Sequence, residues 1–284
     1  MAAPDSTLDD SLGDFERRTL TLEGSTRPVY VSGEGPAVVV LAEMPGISPH
    51  VARFARWVRS AGLSVYMPSL FGRDGAYPEA AEGLATLRRA CMSAELGALA
   101  TGASSPVSAW LRALARVAHH ERGGRGVGAV GMCFTGNFAL SMMLEPETVA
   151  PVLCQPSLPL GEPSALNISA TELAFVRRRL EREDLRVLAY RFEGDRHCTE
   201  ARFQAYSEAL GPRFCPRSLP DTAASRTPPP FFAEVVGCPH SVVTAHLVDA
   251  EGEPTAAARD EILSFLTTTL LGEDHHAQRS PHRP

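Results

Sequence analysis

The sequence predicts an α/β fold, a mostly parallel central sheet with helices on both faces. Short β-branched runs such as 37-AVVVLAEM-44 and 186-RVLAYRFEG-194 are apolar throughout, the character of strands buried on both sides in a parallel sheet. Amphipathic stretches at helical spacing lie between such runs, so strand and helix alternate along the chain. A length of 284 residues suits one large domain.

Taken in order, residues 1–17 read as a flexible N-terminal segment and 18–271 as a single domain. Alternation in 18-RTLTLEGSTRPVYVSG-33 predicts a hairpin. The run 37–44 is a buried strand, and Val51, Phe54, Ala55 and Val58 give residues 49–61 a helical apolar face. Residues 63–72 form a strand that ends in a Pro/Gly-marked loop. Two helices follow over 80–120, broken at 102-GASSP-106. The strand of 127-VGAVGMCFTGNFALSMM-143 leads directly into a helix, with Met142 and Met143 in its core face. Then come a strand at 149–155, an Arg-rich surface helix at 171–182, a strand at 186–194, a helix at 199–210 and a weaker strand at 213–219. Residues 220–240 read as a long loop braced by 227-TPPPFF-232, and 255–271 as the closing helix. The polar tail 272–284 reads as disordered.

Composition excludes some chemistry. Every basic residue is Arg, which removes Schiff-base and P-loop mechanisms, since both need a lysine. A formal charge of −6 gives no reason to expect nucleic acid or an anionic membrane as partner. No apolar run reaches the roughly 18 residues of a membrane span, and the N-terminus lacks the pattern of a secretory signal. The six cysteines follow no framework spacing, which predicts reduced thiols in the cytoplasm.

In such folds ligands bind beyond the carboxyl ends of the strands. The informative residues are therefore those just after each strand: Glu43, Arg73, Cys133, Asp195 and His240. The segment 131-GMCFTG-136 has the form of a nucleophile elbow. There a strained strand-to-helix turn exposes its central side chain, and glycines let strand and helix approach closely. The helix N-terminus behind Cys133 favours thiolate, and the N–H of Phe134 is placed to meet a developing oxyanion. A thiol nucleophile needs a base, and the base needs an orienting carboxylate. Asp195 in 192-FEGDRH-197 and His240 in 235-VVGCPH-240 occur in the hydrolase order of nucleophile, acid, histidine.

On 38-VVVLAEMPGISPH-50, 65-VYMPSLFGR-73, 129-AVGMCFTGNFAL-140, 192-FEGD-195 and 237-GCPH-240, the chain resembles the dienelactone hydrolase family of α/β-hydrolases. The resemblance implies the α/β-hydrolase fold, a Cys133–Asp195–His240 triad, no metal and no organic cofactor. It implies an oxyanion hole made by Met44 and Phe134, and a thiol-contacting role for Glu43, whose plainer reading is a helix cap near Ser48. It also implies a substrate-carboxylate site at Arg73. Two positions depart from the family pattern. Ala42 stands where a histidine usually precedes the glutamate, and Thr244 occupies the place of a second substrate-binding arginine. The expected substrate is thus a small ester or lactone that is neutral or singly charged, and the expected assembly a monomer or homodimer.

Rival readings remain open at this point. His197, Cys198, Cys238 and His240 offer a zinc-type donor set, though without the usual two-residue cysteine gap. A non-catalytic binding protein on the same fold, or an acyltransferase using the same triad, shares every residue. Cys154 reads as core or as pocket lining, and His119-His120 as a polar helix end.

Overall fold

A computed structural model describes residues 7–93 and 105–272. Its strands are β1 (Glu16–Leu22), β2 (Ser25–Ser32), β3 (Ala37–Leu41), β4 (Ser64–Pro68), β5 (Val127–Met132), β6 (Thr148–Cys154), β7 (Val187–Phe192) and β8 (Phe214–Leu219). They form one sheet in the order β1-β2-β4-β3-β5-β6-β7-β8. The hairpin pairs antiparallel and joins β4 antiparallel, while β4 through β8 run parallel. Strands β3, β4, β5 and β7 are buried along their whole length, which explains why they read as continuous apolar runs.

The helices are α1 (Pro49–Ser60), α2 (Ala80–Met92), α3 (Pro106–Arg122), α4 (Gly136–Met142), α5 (Ala170–Arg182), α6 (Glu200–Leu210) and α7 (Pro254–Leu271). Local chemistry fixes several of their starts. The hydroxyls of Ser48, Ser105 and Thr199 accept N-terminal N–H groups of α1, α3 and α6, and Ser169 with Glu172 forms a capping box on α5. Proline at the first turn of α1, α3 and α7 removes an N–H that would have no partner. Apolar faces of α1 and α7 cover one side of the sheet, and those of α3, α4, α5 and α6 cover the other. This is the α/β-hydrolase arrangement. The chain leaves β4 by α2 and α3 and returns as β5 on the far side of β3, so the strand order reverses between β3 and β5. The carboxyl ends of those two strands carry Glu43, Met44 and Cys133.

Residues 9–15 differ from the flexible segment expected. Leu12 and Phe15 are buried, and Arg56 of α1 binds the carboxylates of Asp10 and Asp14, so the sheet's outer layer begins before β1. The 220–240 loop also holds more order than expected. Residues Phe231–Val236 form a π-helical turn, with Phe231 and Phe232 buried and the Phe231 ring against Gly83 of α2. Sequence 227–232 is thus less a brace than an apolar anchor. The expected helix break at 102–106 and the tail fall largely or wholly outside the described residues. Glycine at 136 is required by packing, since a Cβ there would lie 2.5 Å from the Cα of Pro156.

One side chain holds the loop that follows β6. Arg202 is buried in the first turn of α6, and its five N–H donors meet five carbonyls: Ala165, Pro156, His197, Pro159 and Glu162. Replacing it leaves those carbonyls without a charged donor. Arg202→Met is expected to cost about 1–3 kcal/mol of unfolding free energy, read from urea titrations of both proteins. A loss below about 1 kcal/mol would show that water serves the strap equally well.

Candidate active site

The elbow is built as the sequence predicts. Cys133 has φ 54°, a left-handed conformation that costs a non-glycine residue roughly 1–2 kcal/mol and persists only where its surroundings fix it. The surroundings are specific. Thr135 accepts the Met132 N–H at 3.0 Å, and its hydroxyl lies against the carbonyls of Leu41 and Ala42 at the end of β3. A Cβ on Gly131 would collide with the Thr135 carbonyl. Asn137 reaches the Leu158 carbonyl at 2.9 Å and bonds Tyr206, tying α4 to α6 and to the strap.

The structure brings Cys133, His240 and Asp195 together. His240 Nδ1 donates to Asp195 Oδ2 at 2.7 Å, and the imidazole lines the same cavity as Cys133. Asp195 Oδ1 accepts the N–H groups of His197 at 2.8 Å and Cys198 at 3.0 Å. Both partners are buried. For His240, burial disfavours the imidazolium, but the charges and hydrogen bonds of Asp195 and Cys133 outweigh it and hold the group well above the usual histidine range. Burial likewise works against the Asp195 carboxylate, and the His240 charge with the two backbone donors brings it below its ordinary value. Both directions favour the charged forms of the pair.

Met44 and Phe134 both line the cavity over Cys133. Among the described residues, neither backbone N–H is engaged by a loop or side-chain acceptor. The cavity is small, about 60 Å³, and is completed by Leu87, Ser157, Leu160, His197, Phe231, Val235, Val236 and His240. Among the described residues, Ser157 and His197 are its polar members besides the triad groups, and no guanidinium or carboxylate lines it. Ser157 Oγ lies 3.5 Å from the Cys133 sulfur. The sequence reading passed over Ser157, although a hydroxyl just beyond a strand end was a usable signal. It also passed over Phe231, whose pairing with Phe232 in a polar loop was the clue. A second cavity of about 90 Å³, lined by Arg196, Arg202 and Thr199, opens on the far side of Ser157, Leu160 and His197.

Three expected residues stand elsewhere. Arg73 is exposed and paired with Asp9 at 2.7 Å and Glu82 at 3.4 Å, and it does not line the cavity over Cys133. Asp9, within the segment expected to be flexible, also accepts the Tyr77 N–H at 2.8 Å and so holds this loop on its outer side. Thr244 is buried and donates to Glu43 Oε1, so its hydroxyl faces away from substrate. Glu43 itself neither caps α1, whose cap is Ser48, nor bonds the thiol. Its carboxylate accepts from Ser241 at 2.5 Å, from Thr244, and from Gln155 at 3.3 Å. Burial pushes the Glu43 carboxyl up, against the pull of Ser241, Thr244 and the His240 charge.

Cys154 is buried in the core, and burial drives its thiol up. Among the described residues no group of three or more His, Cys, Asp or Glu side chains is set to hold a metal ion. None of their helices is long and apolar enough to cross a membrane. His119 and His120 fall in the last turn of α3.

Residues 25–171 match the dienelactone hydrolase family. That span includes the elbow and stops before Asp195 and His240, so the last two rest on geometry. Among curated proteins nothing matches the chain. The fold is similar to a candidate dienelactone hydrolase from Klebsiella pneumoniae, 17% identical with a TM-score of 0.59, covering 89% of this chain and 98% of that one. It is similar also to a dienelactone hydrolase-like promiscuous phosphotriesterase from metagenomic libraries, at 20% identity and TM-score 0.58, covering 89% and 99%. A cold-adapted esterase from an Arctic intertidal metagenomic library matches at 13% identity and TM-score 0.54, covering 89% and 93%.

Next to the triad, His246 Nδ1 accepts the Ser241 N–H at 3.2 Å, which requires a neutral ring. Burial lowers His246 to about 4, helped by the His240 charge, and burial lowers His50 to about 4. An unfolded histidine takes its proton near pH 6.5, so in the window between about 6.5 and 4 protonation favours the unfolded chain. Stability from these two groups is therefore complete above about pH 6.5 and falls as pH drops, by up to about 1.4 kcal/mol per unit for each. The urea midpoint is expected to decline between pH 6.5 and 5, with a shallower slope in His246→Asn. An unchanged slope in that variant would remove His246 from the account.

Proposed function

The chain belongs to the dienelactone hydrolase family, and from that premise we propose that this hydrolase cleaves small, uncharged esters or lactones through a Cys133–His240–Asp195 triad. What supports the reading most directly is the His240–Asp195 hydrogen bond at 2.7 Å, with His240 and the strained Cys133 lining one apolar cavity.

In this reading His240, oriented by Asp195, holds the proton of Cys133, and the thiolate attacks the substrate carbonyl. A carbon–sulfur bond forms, and the carbonyl oxygen takes the negative charge between the N–H groups of Phe134 and Met44. As the tetrahedral intermediate collapses, the carbon–oxygen bond breaks and the leaving alkoxide takes the proton from His240. Water then gives a proton to His240 and attacks the thioester. The acid departs and Cys133 regains its starting state. Ser157, 3.5 Å from the sulfur, supplies a hydroxyl that steadies the thiolate between turnovers.

The cavity's lining bears on the substrate. With Arg73 paired outside it and Thr244 turned to Glu43, a bound carboxylate over Cys133 meets Leu87, Phe134, Phe231, Val235 and Val236 and, among the described residues, no cation beyond His240, which Asp195 already holds. Burying an uncompensated charge there costs several kcal/mol. An uncharged acyl group fits the same lining without that cost.

Cys133→Ala is expected to abolish ester hydrolysis while leaving the unfolding free energy from urea titration within about 1 kcal/mol of the parent. Asp195→Asn should lower kcat by several orders of magnitude, since triad members act as a unit. A dienelactone methyl ester is expected to exceed its free acid in kcat/KM by about tenfold or more, and Arg73→Ala should leave both values within about twofold. A preference for the free acid that disappears in Arg73→Ala would overturn the substrate assignment and leave the triad untouched.

A further inference from the structure

The cavity over Cys133 and the one next to it differ in chemistry, and three residues belong to both: Ser157, Leu160 and His197. Leu160 is 44% exposed, so the partition between them includes a side chain at the surface. The His197 ring meets the His240 ring edge to face, with centroids 5.5 Å apart. The second cavity therefore lies on the side of the base. In the proposed reaction the leaving alkoxide takes its proton from His240, so the alkoxy half of the substrate points that way. The acyl half stays over Leu87, Phe134 and Phe231.

The polar groups of the second cavity, about 90 Å³ in volume, sort by what they have already spent. Arg202 gives all five donors to carbonyls of the strap and the Asp195–Cys198 loop. The Thr199 hydroxyl donates to the Pro163 carbonyl at 2.7 Å, and His197 Nε2 meets the Val236 carbonyl at 3.2 Å. Arg196 and Glu162 are different. Arg196 is exposed and spends one nitrogen on the Gly237 carbonyl at 2.6 Å, while a guanidinium carries five N–H donors. The Glu162 carboxylate is exposed and, among the described residues, accepts no hydrogen bond and forms no ion pair. A donor and an acceptor facing one small cavity match a group that both accepts and donates, which is a hydroxyl. An anion would meet Glu162 as well as Arg196, and an exposed guanidinium alone adds little in water. An apolar group would strip water from both without replacing its hydrogen bonds.

We propose that this second cavity is the alkoxy subsite, and that Arg196 and Glu162 select esters of a short apolar acid with a small hydroxylated alcohol of the glycerol type. The inference rests on the triad reading and narrows its substrate class. Arg196 donates to a hydroxyl oxygen of the alcohol, and Glu162 accepts a hydroxyl proton. A small lactone, whose two halves share one ring, leaves this subsite unfilled.

Three acetate esters of matching shape test it: glyceryl monoacetate, 2-methylbutyl acetate with methyl groups in place of both hydroxyls, and the acetate of glycerate with a carboxylate at the far end. Each kcat/KM is divided by the ester's own rate of hydrolysis by hydroxide. The glyceryl ester is expected to exceed the 2-methylbutyl ester by about tenfold or more, the worth of one to two hydrogen bonds, and to exceed the glycerate ester too. Arg196→Met and Glu162→Ala should each bring the first ratio toward one, and Glu162→Ala should raise the glycerate ester relative to the glyceryl one. Arg73→Ala, outside both cavities, should keep the ratios. Dissociation constants for the same esters in Cys133→Ala, read by ligand-observed NMR, need no turnover and should follow the same order. That order in binding, with no hydrolysis by the parent, would keep the subsite and sink the triad reading. A glyceryl ester bound no better than its 2-methylbutyl counterpart, a first-ranked glycerate ester, or a ratio that survives both Arg196→Met and Glu162→Ala would overturn the subsite.

Discussion

Glu43 is a buried carboxylate that forms no ion pair among the described residues, and much of the site is arranged about it. It accepts hydrogen bonds from Ser241 and Thr244, which belong to the loop carrying His240, and from Gln155 at the end of β6. Its own chain continues into Met44, one of the two proposed oxyanion donors. One buried group thus joins the ends of β3 and β6 to the loop of the base. A buried carboxylate left without donors costs several kcal/mol, so the loop is held in register by the penalty of letting go. This role differs from thiol contact, and it explains why Thr244 is turned inward.

The second constraint is the strained elbow. Cys133 keeps a left-handed backbone because Thr135 ties the turn to the end of β3 and Gly136 packs against Pro156. Pro156 in turn is fixed by Arg202, whose five donors gather the strap from 156 to 165. The strap carries Ser157 and Leu160, which line the cavity over the thiol. Strain at the nucleophile and order in the pocket wall therefore rest on the same helix start, that of α6.

The parts of this molecule legible in its sequence are those set by short-range pattern. β3, β5 and β7 are buried on both faces, so they show as apolar runs. The elbow has a local signature, and Asp195 and His240 follow strands in a recognisable order. What the sequence concealed depends on contacts between distant segments. Leu12, Phe15, Asp10 and Asp14 look like a polar leader until Arg56 and the outer sheet are in place. Arg73 has the right local neighbours for a substrate contact, yet Asp9 and Glu82 hold it outside. Thr244 stands by local pattern in the place of a cation, yet its partner is a glutamate 201 positions away. The buried arginine clamp at Arg202 has no signature at all, since its partners are backbone carbonyls.

The two buried carboxylates beside His240 are driven in opposite directions, and the contrast follows from their donors. Asp195 faces a cationic ring at 2.7 Å and two backbone N–H groups, and these overcome burial. Glu43 has two hydroxyls and an amide, with the His240 charge further off, and burial prevails. Titratable groups pushed apart in this way divide the labour of a site. The Asp195 carboxylate already places one negative charge beside His240. A fully charged Glu43 would add another anion in the same low-dielectric region and oppose formation of a thiolate during the proposed reaction. Its upward drift toward the neutral acid relieves that repulsion while the hydrogen bonds to Ser241 and Thr244 stay in place. The arrangement thus gives the loop its anchor without placing another negative charge beside the nucleophile.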